Sequence, residues 1–206
     1  MKTTLLILGA LVALGSPFCP AADLPPTSPP SPKTIAMIGD SITHNGDWEK
    51  VLGRKEVLNW GISGYTTGQL AWTFKDVLRE HPGVKIVFLG GGINDLTLGV
   101  SADRVIENQI KAVAWWREHG VVAVIESVIL KTEEPDTNAT ITGLNARLRA
   151  HCESHSIEYL DLNAVLAVDG HLRKEFSTDG THLQPAAYPL WANLVNQELV
   201  RLEHSK

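Results

Sequence analysis

Short, nearly all-apolar runs recur along this chain with helical stretches between them, and that alternation constrains the fold more than any other feature. Ile35–Ile38, Val84–Leu89 (VKIVFL) and Val121–Ile125 (VVAVI) have the near-continuous apolar character of strands covered on both faces of a sheet. Glu56–Trp60 and Ile157–Leu160 read as two further strands. Thr67–Glu80 reads as a helix that stops at His81-Pro82-Gly83. Ser101 suits the N-cap of a second helix running to His119, on which Ile106, Ile110, Val113 and Ala114 share one face. Asn138–Ser154 is a third, and Pro185–His204 is the last, with Pro185 at its first position and Pro189 awkwardly placed one turn later. Strands alternating with helices at this period predict an α/β fold, a parallel sheet between two helical layers.

The 206 residues suffice for one domain with a substantial core. A net charge of −5 leaves no basic footprint for nucleic acid. Residues 1–22 read as a signal peptide: Lys2 is followed by an apolar run, Leu5–Leu14, and by small residues at Ala21 and Ala22. That run is half of the ~20 residues that a spanning helix needs, so no stable membrane span is expected once the signal is removed. Residues 23–32 (DLPPTSPPSP) carry five prolines and read as an extended linker, which starts the folded domain at residue 33 and runs it to 206. The expected location is secreted or periplasmic. Removal of the signal takes Cys19 with it and leaves Cys152 without a disulfide partner, so the fold must rest on its core.

Four short stretches fall where strands end or where the last helix begins: Gly39-Asp40-Ser41, Asn59-Trp60-Gly61-Ile62-Ser63-Gly64, Gly90-Gly91-Gly92-Ile93-Asn94-Asp95 and Asp179-Gly180-Thr181-His182. In open parallel sheets ligands bind beyond the carboxyl ends of the strands, near a switch point, and a strand order of 2-1-3-4-5 would gather these loops around Ser41. A serine hydroxyl becomes a nucleophile only beside a base, and His182 can be that base. Asp179 can orient its imidazole, and Asp179–His182 is the one Asp-x-x-His among eight histidines. Acyl transfer also needs donors for a developing oxyanion; the Ser41 and Gly64 backbone N–H groups and the Asn94 side-chain amide are candidates. Each residue also has a plain reading. Asp40, Asp95 and Asp179 suit turns, Gly61 and Gly64 suit turn glycines, and His182 suits the surface. His44 reads as a wall of the crevice. His151 and His155 are spaced for a metal pair, but Glu153 is misplaced for a His-Glu-x-x-His site, so no metal is expected. The charged loop Lys131–Asn138 reads as a rim of the same crevice.

Together the motifs GDSIT, NWGISGYTT, GGIND and DGTH, in that order from Gly39 to His182, resemble the SGNH hydrolases, the GDSL esterase/lipase family. The resemblance implies a flavodoxin-like three-layer α/β/α sandwich with a five-stranded sheet in the order 2-1-3-4-5 and no cofactor. It implies a nucleophile at Ser41, a base and orienter at His182 and Asp179, and oxyanion donors at Ser41, Gly64 and Asn94. It further implies a serine esterase; the compact domain without an obvious lid and the export signal point to a small acyl group, acetyl foremost, on a carbohydrate or other small-molecule ester. Departures are Tyr65, where many members carry Asp, and Ile42 in place of Leu. Thr43 stands where a Gly-x-Ser-x-Gly elbow would have its second glycine, which argues against the other large esterase fold. A lysophospholipase, a thioesterase, an acyltransferase and a non-catalytic module of the same fold remain alternatives at this level.

Overall fold

The computed structural model describes residues 34–204, so the signal and linker readings lie outside the described residues. Five strands, β1 (Ile35–Gly39), β2 (Val57–Gly61), β3 (Ile86–Leu89), β4 (Val122–Glu126) and β5 (Glu158–Leu160), form one sheet. All pairs are parallel, and the order is β2-β1-β3-β4-β5, as expected. Each strand lies within two residues of its sequence-based bounds.

The strand order dictates the layers. From β1 the chain steps to β2 through α1 (Ser41–His44) and α2 (Trp48–Leu52). It then reverses direction and crosses to β3 through α3 (Thr67–Leu70) and α4 (Phe74–Glu80). It continues to β4 through α5 (Ile93–Thr97) and α6 (Ala102–Glu118), and to β5 through α7 (Pro135–Ser154). Because crossovers are right-handed, the reversal puts α2 on one face and α4, α6 and α7 on the other. After α8 (Asn163–Leu166) and the hairpin β6 (Ala167–Val168) and β7 (His171–Leu172), the chain ends in α9 (Tyr188–His204), which packs on α2. The result is a three-layer α/β/α sandwich. Its core runs along both faces: β1 is buried throughout, and Trp48, Trp116 and Trp191 are almost fully enclosed. No helix among the described residues is long and apolar enough to cross a membrane.

Three helix expectations need correction. The stretch 67–80 is not one helix but α3, a 3-10 turn over Ala71–Thr73 and α4. The Thr73 hydroxyl donates to the Leu70 carbonyl at 2.8 Å, competing with the backbone bond that would carry the helix through. The helix expected from Asn138 starts three residues earlier, at Pro135, which fits a position whose N–H has no helical partner. Asn138 instead clasps the loop after β4, accepting from Lys131 N at 2.8 Å and donating to the Lys131 carbonyl at 2.8 Å. The last helix starts at Tyr188 rather than Pro185, so Pro189 is its second residue and causes no kink. Pro189→Ala is therefore expected to cost less than about 1 kcal/mol through unfolded-state entropy, not to gain the ~3 kcal/mol that relieving an interior proline would give; urea unfolding of the two proteins decides between them.

Candidate active site

The site begins with a turn that glycine makes possible. At Gly39, the last residue of β1, a Cβ would sit 2.1 Å from Thr43 Oγ1, because α1 folds straight back over the strand end. Asp40 caps α1, its Oδ1 accepting from Ile42 N at 2.9 Å, and this sets Ser41 as the first helical residue. A single helical turn has almost no stability of its own. Here each carbonyl from residue 40 to 44 has a partner. Those of Asp40 and Ser41 accept from His44 N and Asn45 N. Ile42 accepts from the Tyr188 hydroxyl at 2.8 Å, Thr43 from the Trp48 indole at 2.8 Å and His44 from Asn59 Nδ2 at 2.9 Å.

Ser41 Oγ lies 2.9 Å from His182 Nε2, and His182 Nδ1 lies 2.6 Å from Asp179 Oδ2. The three residues are thus in line although 141 positions separate serine and histidine. Asp179 Oδ1 also accepts from the backbone N–H groups of Thr181 and His182, at 2.9 and 2.8 Å, and from the Ser177 hydroxyl. The His182 imidazole, followed by the Thr181 N–H, holds the Asp179 carboxyl far below the usual carboxylate range. An ionised Asp179 requires the hydrogen on Nδ1, which leaves Nε2 free to accept from the Ser41 hydroxyl. This arrangement can pull a proton from serine and return it to a leaving group.

The oxyanion candidates sit on neighbouring loops. Ile62 N donates to the Gly39 carbonyl at 2.8 Å, docking the glycine block beside the serine block. Gly61 is needed for close approach, since its Cβ would fall 2.1 Å from His44 N. Gly64 is needed for conformation rather than space: its φ is 80°, and a Cβ would meet nothing within 4 Å. Asn94 Nδ2 donates to the Tyr65 carbonyl at 3.0 Å, which spends one amide hydrogen, fixes the side chain against this loop and leaves the second hydrogen to donate. Asp95 caps a helix, but one 28 residues away: it accepts from Thr67 N at 2.8 Å and from the Thr67 hydroxyl at 2.7 Å, anchoring α3 just past Tyr65. The His44 ring bonds the Gly61 carbonyl at 3.0 Å, and Thr132 N bonds the Gly180 carbonyl at 3.2 Å, so the charged loop adjoins the Asp179–His182 turn. His151 and His155 stack on each other at the end of α7, and no group of three metal-binding side chains forms among the described residues. Cys152 is buried, which pushes its thiol up to about 11 and leaves it inert.

The residues from β1 into α9 match a known family: the profile of the GDSL-like lipase/acylhydrolase family aligns with residues 37–190. The chain belongs to that family. It is accordingly a serine ester hydrolase. Among solved structures it is similar to a GDSL-like lipase from Bacteroides thetaiotaomicron, at 19% identity and a TM-score of 0.71, over 82% of this chain and 89% of that one. It is also similar to the aryl esterase of M. smegmatis, at 18% identity and a TM-score of 0.66, over 82% and 99%. A carbohydrate esterase family 3 protein from Talaromyces cellulolyticus matches at 16% identity and a TM-score of 0.67, over 84% and 99%. These likenesses show the sandwich fold. No curated protein matches the chain.

Sequence reasoning missed the supports of the site: Asn59, Trp48, Tyr188 and the anchoring role of Asp95. Only Asn59 carried a signal, as the first residue of its glycine block. Gly61→Ala is expected to cost about 1–3 kcal/mol, as overpacking does, because α1 must move; chemical denaturation with fluorescence of the buried tryptophans reads the loss.

Proposed function

We propose that this hydrolase is an exported serine esterase, secreted or periplasmic, that removes small acyl groups, acetyl foremost, from a carbohydrate or similar hydroxyl-rich alcohol. The observation that carries the chemistry is the pair of contacts through His182, 2.9 Å to Ser41 Oγ and 2.6 Å to Asp179. In this reading Ser41 Oγ attacks the ester carbonyl while its proton passes to His182 Nε2, and Asp179 stabilises the imidazolium. The carbonyl oxygen becomes an oxyanion that accepts from Ser41 N–H, Gly64 N–H and the free hydrogen of Asn94 Nδ2. As the C–O bond breaks, His182 gives its proton to the departing alcohol and an acyl-serine remains. Water, giving its proton to His182, then attacks the acyl carbon, and as the acyl–Oγ bond breaks His182 returns that proton to Ser41 Oγ and the acid leaves.

The alcohol preference draws on the surroundings of Asp179. A cleft of about 500 Å³ adjoins it, lined by Thr132, Ser177 and Thr178 and by two ion pairs, Lys131–Glu134 and Lys174–Glu133. Such a polar lining offers hydroxyls and paired charges to the hydroxyls of a sugar and little to an acyl chain. The export part of the reading rests on Lys2, the apolar run Leu5–Leu14 and the proline-rich stretch after it.

Wild-type protein is expected to hydrolyse p-nitrophenyl acetate and to be labelled by a fluorophosphonate, whereas Ser41→Ala and His182→Ala lose ~10⁴–10⁶ in rate and Ser41→Ala loses labelling. Asp179→Asn is expected to cost ~10²–10⁴ in kcat by giving His182 the wrong tautomer, and Asn94→Ala ~10²–10³ by removing one oxyanion donor. In a panel of acetylated saccharides and lysophospholipids, the saccharides should give the higher kcat/KM, and the reverse ranking would overturn the substrate assignment. An unlabelled, inactive wild type would overturn the enzyme mechanism as a whole.

A further inference from the structure

Two carboxyl groups lie buried under the nucleophile turn, and the acyl-transfer steps use neither. Asp40 is 2% exposed and Glu126, the last residue of β4, is 0% exposed. Each has one oxygen accounted for: Asp40 Oδ1 by Ile42 N, and Glu126 Oε1 by the Trp191 indole at 2.6 Å. The other oxygen of each, Asp40 Oδ2 and Glu126 Oε2, is buried with no hydrogen-bond partner among the described residues. Both face the Gly90-Gly91 backbone. A Cβ at Gly90 would lie 3.1 Å from Glu126 Oε2 and 3.2 Å from Thr43 Oγ1, and one at Gly91 would lie 3.7 Å from Asp40 Oδ2. A small cavity of about 20 Å³, lined by Asp40, Thr43, Gly90, Gly91 and Trp191 among others, adjoins Asp40 and has room for one water.

Two adjacent buried carboxylates cannot both stay ionised without a cation. Asp40 is the one more readily kept ionised, because its Oδ1 accepts the Ile42 N–H and the His182 charge favours it. We infer that Glu126 is a positioning residue for Ser41: a neutral carboxyl that accepts from Trp191, turns its own O–H toward the oxygens of Asp40 and Thr43, and so locks the nucleophile turn to α9. Trp191 in turn packs edge-on against Trp48 at 4.8 Å and stacks on Tyr188 at 6.1 Å, the two side chains that hold the Thr43 and Ile42 carbonyls. Glu126 is therefore linked to α1 through the aromatic trio, and the inferred O–H adds a second link at the Asp40–Thr43 face.

Burial, with the Asp40 charge adding to it, pushes the Glu126 carboxyl up to about 8, whereas the Trp191 hydrogen bond acts the other way. Burial also raises Asp40, which the Ile42 N–H and the charge of His182 lower again and Asp95 raises further. The titratable group that α9 turns toward Asp40 is Tyr188, raised by burial and by Asp40. The signs fix the pH dependence. An unfolded Glu ionises near 4.5 and the native one near 8, so the native state binds more protons between these values and stability falls as pH rises through that window. Glu126→Gln cannot ionise, so its stability lacks that fall.

The inference rests on the proposed nucleophile, and the test separates the two. Glu126→Gln, Glu126→Ala and wild type are compared by thermal unfolding and by the rate of fluorophosphonate labelling from about pH 5 to about pH 9. The expected results are a melting-temperature difference, Glu126→Gln minus wild type, that grows with pH from 5 to 8, and a labelling rate that declines in wild type around pH 8 but not in Glu126→Gln. At pH 7 Glu126→Ala, with unfolded protein excluded, should label at least tenfold more slowly than wild type, and Glu126→Gln should restore most of that loss. The infrared carbonyl band of a protonated carboxyl at pH 7 should disappear in Glu126→Gln. A stability difference independent of pH, an unchanged alkaline decline in Glu126→Gln, or a folded Glu126→Ala that labels at the wild-type rate would each overturn the role of Glu126 and leave the nucleophile untouched. Absence of labelling in wild type would overturn both readings.

Discussion

A single helical turn cannot stand by itself, and the site depends on the groups that finish one. Ser41 to His44 supply few internal bonds, so the carbonyls of Ile42, Thr43 and His44 are completed by a phenol, an indole and an amide from α9, α2 and β2. The serine is thereby fixed relative to both helical layers and to the neighbouring strand. Catalysis by preorganised donors requires such fixing, because an alignment error of about 1 Å is enough to lose ~10²-fold in rate.

The sheet supplies the second constraint. Because β2 and β3 flank β1 in parallel, their carboxyl ends face the same way and their glycine-rich exits meet at Ser41. The backbone contacts Ile62 N to Gly39 O and Gly90 N to Ile38 O, both 2.8 Å, continue the ladder past the strand ends. The loops carrying Gly64 and Asn94 thus start from rigid positions. Asp95 extends this rigidity outward by anchoring α3, so Asn and Asp in GGIND divide the work: one holds the Tyr65 carbonyl and the other the start of α3 just past it.

What the sequence made legible follows from how far each signal reaches. Strand runs such as Ile35–Ile38 are local and apolar, so they were readable to within a residue or two, and the motifs named Ser41, Asp179 and His182, which the fold brings into line. One-turn elements such as α1, α2, α5 and α8 are too short to show a period. The break at Ala71–Thr73 depends on one hydroxyl reaching back to Leu70, and the onset of α9 depends on a turn closed by Ala187 N on the Gln184 carbonyl. The β6–β7 hairpin did carry its signal, Asp169-Gly170, with φ of 49° and 77° as a tight two-residue turn requires. Glu126 reads as an ordinary strand-end residue until Trp191, 65 positions later, is seen to bond it.

The bond from the Tyr188 hydroxyl to the Ile42 carbonyl spans 146 positions, and it has a temporal side. On the ribosome, the segment bearing Ser41 emerges well before the histidine beside it, 141 positions later, and before the aromatic buttress of Ile42, which follows that residue by 146. A nascent chain therefore holds an unactivated alcohol on an unfinished turn, and chemical competence arrives only when the two distant ends of the domain come together.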